Sequence, residues 1–155
     1  MNAWVEILAI AAVIGSGLVA GIFFAFSNFV MPALARLPEN EGADAMKAIN
    51  ITVLNPLFFT AFIGTAVLCA GLIACVIMGA AGPQFAYLLI ASLLYLIGCF
   101  LVTGVKNVPL NDRLALAKGS ERGDVWHHYF IRWTYWNHVR TVASLLASLV
   151  LLLAL

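Results

Sequence analysis

Polar positions in this chain are gathered into a few short stretches, with long apolar runs between them. No Asp, Glu, Lys or Arg occurs from 7 to 35, from 48 to 105 or from 141 to 155. About 20 consecutive apolar residues carry a helix across a bilayer. The first run therefore holds one span, and the last, extended back toward Trp133, holds another. The middle run is too long for a single span. It is cut at Gly79-Ala-Ala-Gly-Pro-Gln84, where glycine ends one helix and proline suits the first turn of the next. The expected fold is all-α: an integral membrane four-helix bundle, one domain over 1–155, with spans near 4–30, 53–79, 83–105 and 133–154. The first span lacks a basic leader region, carries Glu6 and runs too long for a cleaved signal, so it is read as retained.

Composition agrees with this pattern. Charged residues make up 10% of the chain, against about a quarter in soluble domains. The 64% apolar content also excludes disorder, which needs low hydrophobicity and high charge. A net charge of +1 with no basic stripe leaves no footprint for nucleic acid, so the lipid bilayer is the expected partner. All eight basic residues (Arg36, Lys47, Lys106, Arg113, Lys118, Arg122, Arg132, Arg140) fall in or beside the segments joining spans one to two and three to four. The positive-inside rule makes those two loops cytoplasmic and both termini outward, which is periplasmic for a bacterial inner membrane.

Small and kink-forming residues are expected to set the packing. Gly15, Ser16, Gly17, Ala20 and Gly21 offer close helix contact inside the bundle, and a homo-oligomer seam is the second reading of Gly17-xxx-Gly21. Pro32 and Pro56 withhold backbone donors from the carbonyls of Asn28 and Thr52, which either opens a cavity at that level or ends helix one. Cys69, Cys75 and Cys99 lie inside spans, where cysteine packs as a small apolar residue. Their spacing matches no disulfide, zinc or haem-attachment pattern.

Candidate chemistry collects at the cytoplasmic end. Asn28, Asn50, Asn55, Asn107, Asn111, Asn137 and all three histidines belong there, and polar groups at membrane depth face the bundle interior. Asp124 serves as the expected N-cap of helix four. At 100° per residue, Trp126, Trp133, Asn137, Arg140 and Thr141 share one broad face, with His127, Ile131, Thr134 and His138 on an adjoining stripe. His127 and His138 stand about 16 Å apart along the axis, too far for one metal ion. An interfacial aromatic belt accounts for Trp126, Tyr129, Arg132 and Tyr135. It does not account for Arg140, which lies two turns deeper than Trp133 and needs an anion, a carbonyl or water. Spacing alone makes Asn107 a turn residue and Asn111 the N-cap of a short helix 112–118 ending at Gly119.

Three segments carry a resemblance: Gly21-Ile-Phe-Phe-Ala-Phe-Ser-Asn-Phe-Val-Met-Pro-Ala-Leu34, Asn107-Val-Pro-Leu-Asn111 and Trp133-Thr-Tyr-Trp-Asn-His-Val-Arg-Thr141. Together they resemble the anthrone oxygenase-like family of mostly bacterial membrane proteins. The resemblance implies an oxidoreductase that acts on a hydrophobic aromatic substrate with O2 and no cofactor. An anthrone carries a doubly benzylic C–H made acidic by its ring carbonyl, and the carbanion left by proton loss can reduce O2. Such a site needs a base near neutral pKa and donors at the developing oxyanion. His138 is the expected base, with Arg140 and Asn137 as the oxyanion donors. Asn28, Phe24, Asn107, Asn111, Trp133 and Trp136 are the expected substrate contacts. Two other classes stay open: a haem- or copper-binding redox protein using His127, His128 or His138, and a membrane binding protein without turnover.

Overall fold

A computed structural model describes residues 2–155, which contain five helices and no strand. We number them α1 (Ala3–Leu34), α2 (Glu39–Thr52), α3 (Pro56–Ile77), α4 (Gly82–Leu116) and α5 (Arg122–Leu152). Three of them, α1, α3 and α4, are long and apolar enough to cross a membrane. In α5 the charge-free run begins only after Arg140.

The lateral surface of α1, α3, α4 and α5 is apolar and exposed: Ile14, Val67, Ile97 and Val142 all face outward. Ser16, Ser92, Ser144 and Ser148 are buried between the helices instead. A surface this apolar suits hydrocarbon, and small residues inside allow close backbone approach. Ser148 Oγ on α5 donates to the Val13 carbonyl of α1 at 3.1 Å, and the Tyr95 hydroxyl on α4 donates to the Phe62 carbonyl of α3 at 2.9 Å. The three cysteines are buried and free.

Helix ends follow their sequences. α3 stops in a Schellman turn: Gly79 adopts φ +72°, Ala80 N–H returns to the Cys75 carbonyl at 2.9 Å and Gly79 N–H to that of Val76 at 3.1 Å. The turn expected at 79–84 therefore forms. Pro56 does not kink a helix but begins one. Asn55 caps α3 by accepting from Phe58 N–H, and its Nδ2 donates to the Thr52 carbonyl at 3.0 Å. α1 passes through Pro32 by widening into a π turn at Phe26–Val30 before it ends at Leu34.

Of the small residues expected to set the packing, Gly15 makes a tight helix contact, Ser16 and Ala20 are buried, and Gly21 makes no close contact. A Cβ on Gly21, Gly64 or Gly71 would meet nothing within 4 Å, and Gly21 is exposed. Among the apolar parts of the long helices the tight approaches are at Gly15, where a Cβ would lie 2.0 Å from Thr65 Oγ1 on α3, and at Gly98, where it would lie 2.5 Å from Ala143 Cβ on α5. Gly98→Ala should therefore destabilise the fold by about 1–3 kcal/mol, the usual cost of overpacking. Thermal unfolding of the purified protein in detergent measures this, and adding Ala143→Gly should restore most of the loss.

The two segments expected as loops are largely helical. α2 occupies the first, and α4 runs without a break to Leu116 in the second. Asn111 therefore lies inside α4 and caps no helix 112–118. α5 starts at Arg122 after a 3-10 turn at Gly119–Glu121, so Asp124 sits in its first turn and is not its N-cap. Met31, Met46, Leu114, Val125, Trp126 and Trp133 join in a separate small core that closes this end of the helix assembly. Arg122 pairs with Asp44 and ties α5 to α2.

Candidate functional site

The buried stripe of α5 runs through Trp126, Tyr129, Trp133, Asn137 and Arg140 at three- and four-residue steps, which places all five on one helical face. The first three rings stack in sequence, with centroids 5.9 Å apart at each step. Trp126 and Tyr129, read from sequence as an interfacial belt, are thus interior residues. Where the stripe faces α1 and α4, both helices widen into π turns, at Phe26–Val30 in α1 and at Leu96–Leu101 and Thr103–Asn107 in α4. π turns are frequent at functional sites because they re-aim side chains and free backbone groups.

Arg140 is 3% exposed. Its Nη2 donates to Asn137 Oδ1 at 2.7 Å and its Nη1 to Thr103 Oγ1 at 3.2 Å, while Nε has no partner. The guanidinium carbon lies 4.0 Å from the Phe23 ring centroid and 5.1 Å from that of Trp133. Among the described residues, no carboxylate pairs with it; Arg122–Asp44 is the one ion pair between side chains. Asn137 is fixed in turn by donating from Nδ2 to the Phe23 carbonyl and to Ser27 Oγ, each at 2.6 Å. A neutral amide thus orients a buried cation and leaves its charge uncancelled.

Arg140 opens onto a cavity of about 110 Å3 bounded on its apolar sides by Phe23, Phe26, Phe58, Trp133 and Met46. Thr103, Asn107, Asn111 and Asn50 supply the polar wall. Asn107 Nδ2 donates to the Trp133 carbonyl at 3.2 Å, but its Oδ1 is buried without a partner, as is Trp133 Nε1. Tyr129 donates its hydroxyl to Asn111 Oδ1 at 2.9 Å, and the Tyr129 hydroxyl oxygen in turn accepts from Asn50 Nδ2 at 3.5 Å. Burial holds the Tyr129 phenol well above its ordinary range, so it remains a neutral donor. The residues lining this cavity therefore carry two unmet donors and one unmet acceptor, and Arg140 is the sole titratable group among them.

Several expected site residues meet here, and others do not. Asn107, Asn111, Trp133 and Arg140 line the cavity, with Asn137 directly behind Arg140. Phe24 and Asn28 are exposed, one residue round α1 from Phe23 and Ser27, which with Phe26 take the inward positions. Trp136 lies outside the cavity under the Lys106 ammonium, 5.0 Å from the ring centroid. His138 is exposed, as are His127 and His128, and none of the three lines the cavity. His138 misses the cavity because it sits one residue, about 100°, round the helix from the inward-facing Asn137. No three His, Cys, Asp or Glu side chains approach closely enough to hold a metal ion, among the described residues. Phe26 and Ser27 occur in the quoted Phe-Ser segment, and Ser27 lies one turn beyond the buried Val19 and Phe23 on the same face of α1. Asn50 and Met46 reach the cavity only because α2 folds over it.

No curated protein and no solved structure matches this chain. A family model described as anthrone oxygenase matches residues 57–150, more than half of the chain. The matched segment runs from the start of α3 into the last turns of α5 and includes Thr103, Asn107, Asn111, Trp133, Asn137 and Arg140. The chain belongs to the anthrone oxygenase family.

Proposed function

We propose that this protein is a membrane-embedded oxygenase that binds a planar, hydrophobic aromatic substrate as its oxyanion and oxidises it with O2 without a cofactor. One observation carries the reading: a buried arginine without a counter-anion stands at the wall of an aromatic cavity. Placing an arginine at the centre of a membrane helix costs about 2.5–3.5 kcal/mol on insertion scales, and such residues face ligands or partners. Asn137 and Thr103 hold the guanidinium in place before any substrate arrives, so little reorganisation is needed when negative charge appears beside it.

In this reading the substrate's carbonyl oxygen lies against Arg140 while its rings fill the space among Phe23, Phe26 and Trp133. The cation stabilises the enolate and so lowers the pKa of the benzylic C–H, and water carries the proton away. Electrons then pass from the enolate to O2. For an anthrone the balanced outcome is one anthraquinone and one water per O2, the CH2 carbon becoming a carbonyl. The cavity is smaller than the usual ligand pocket of about 300–1,000 Å3. Entry of a three-ring substrate thus requires Val53 and Leu54, at the break between α2 and α3, to move aside. An oxygen electrode tests the proposal: purified protein should consume one O2 per anthraquinone formed. Activity that tracks copper or haem content would replace the cofactor-free mechanism.

The proposal includes a four-helix transmembrane arrangement in which α5 is the fourth span, packed along α1 and α4. The basic residues put α2 and the α4–α5 junction in the cytoplasm and both termini in the periplasm. The substrate cavity then opens toward the cytoplasmic half. Reporter fusions at residue 81 and after residue 155 should both read periplasmic. A cytoplasmic signal at either position would reverse the orientation of the site.

A further inference from the structure

A second site lies outside the substrate cavity, in a groove of about 470 Å3 between α4 and α5. Lys106 and Arg113 of α4 and His128 and Arg132 of α5 line it, and no acidic side chain does. None of these basic groups takes part in an ion pair, among the described residues. Lys106 is held over the Trp136 ring, and Tyr135 packs edge-on against Trp136 with centroids 5.1 Å apart. His128 and Arg132 also border an adjoining pocket that holds Glu39 and Asp124, but within the groove itself an anion would meet no like charge.

Position narrows the anion. Lys106 is the first charge after the uncharged run 48–105, so the groove sits where the apolar surface ends. Val105, Pro109 and Leu110 form its apolar side, continuous with the exposed Leu101 and Val105 of α4. Trp136 and Tyr135 stand at the level that interfacial aromatics occupy. We infer that the groove binds the phosphate headgroup of an anionic glycerophospholipid, with the acyl chains lying along the apolar side of α4. A basic pocket between membrane helices at the headgroup level is suited to this ligand chemistry. The inference does not rest on the catalytic reading, since no residue of the groove lines the substrate cavity.

Delipidated full-length protein in neutral detergent provides the test, with thermal unfolding followed as lipid is added and bound lipid counted by native mass spectrometry. Phosphatidylglycerol should raise the unfolding temperature saturably and remain bound, while phosphatidylcholine should do neither. Lys106→Gln, Arg113→Gln and Arg132→Gln combined should weaken phosphatidylglycerol binding about tenfold or more. Lys106→Gln alone, a single exposed change, should weaken it measurably with helicity intact. Equal effects from phosphatidylcholine, or undiminished binding in both variants, would overturn the assignment. A matching shift with inorganic phosphate would also overturn it, by showing a soluble phosphate site.

Discussion

Arg140→Gln is expected to lower anthrone-dependent O2 uptake by about 10²- to 10³-fold, the range seen when one preorganised donor to a developing oxyanion is removed. Glutamine keeps part of the polar contact to Asn137 and Thr103 but carries no charge. The fold should persist, because the variant removes a buried cation that has no counter-ion to leave behind. His138→Ala, by contrast, should stay within a few-fold of the parent, since His138 is exposed outside the cavity. Steady-state O2 uptake with helicity checked by circular dichroism separates the two. A histidine variant that loses activity while Arg140→Gln keeps it would return the reaction to a histidine base and contradict the cationic site.

Thr103→Asp should inactivate the protein to a similar degree by the opposite means. Thr103 Oγ1 accepts from Arg140 Nη1 at 3.2 Å, so a carboxylate at this position can pair with the guanidinium and cancel its charge without removing it. Stability should be equal to or above that of the parent, because the new carboxylate supplies the missing counter-ion. Thr103→Ser keeps the hydroxyl and should retain turnover. If Arg140 served packing alone, Thr103→Asp would leave O2 uptake unchanged while raising the unfolding temperature. A stable but inactive Thr103→Asp protein is the result expected of a site that needs free positive charge.

Much of this site was legible in the amino-acid pattern, for physical reasons that differ by residue. The face shared by Trp126, Trp133, Asn137 and Arg140 follows from a helix that keeps regular 100° steps, and α5 does so over 31 residues. The depth of Arg140 follows from the uncharged run behind it. Asn107 and Asn111 read as a turn and a cap by local propensity, which favours asparagine outside helices. Tertiary bonds to Trp133 and Tyr129 hold both inside α4 instead. Phe24 and Asn28 belong to the same motif but lie one residue, about 100°, round the helix from the inward-facing Phe23 and Ser27, which leaves both exposed. The π turns were not legible, since they arise from packing between helices and no single residue marks them. Nor was α2, whose sequence Glu39–Thr52 is polar enough to read as a loop until it covers the cavity.

The most direct measurement is the pH at which bound anthrone ionises, followed anaerobically by the absorbance of its enolate so that no turnover intervenes. A neighbouring cation favours the ionised form and lowers the pKa of a bound acid, whereas burial among apolar rings alone raises it. The two effects have opposite sign. With Arg140 as the oxyanion partner, anthrone bound to the parent protein ionises at lower pH than anthrone free in the same detergent, and the shift disappears or reverses in Arg140→Gln. Ionisation of the bound substrate at or above the pH of the free compound would contradict a cationic oxyanion site in this cavity.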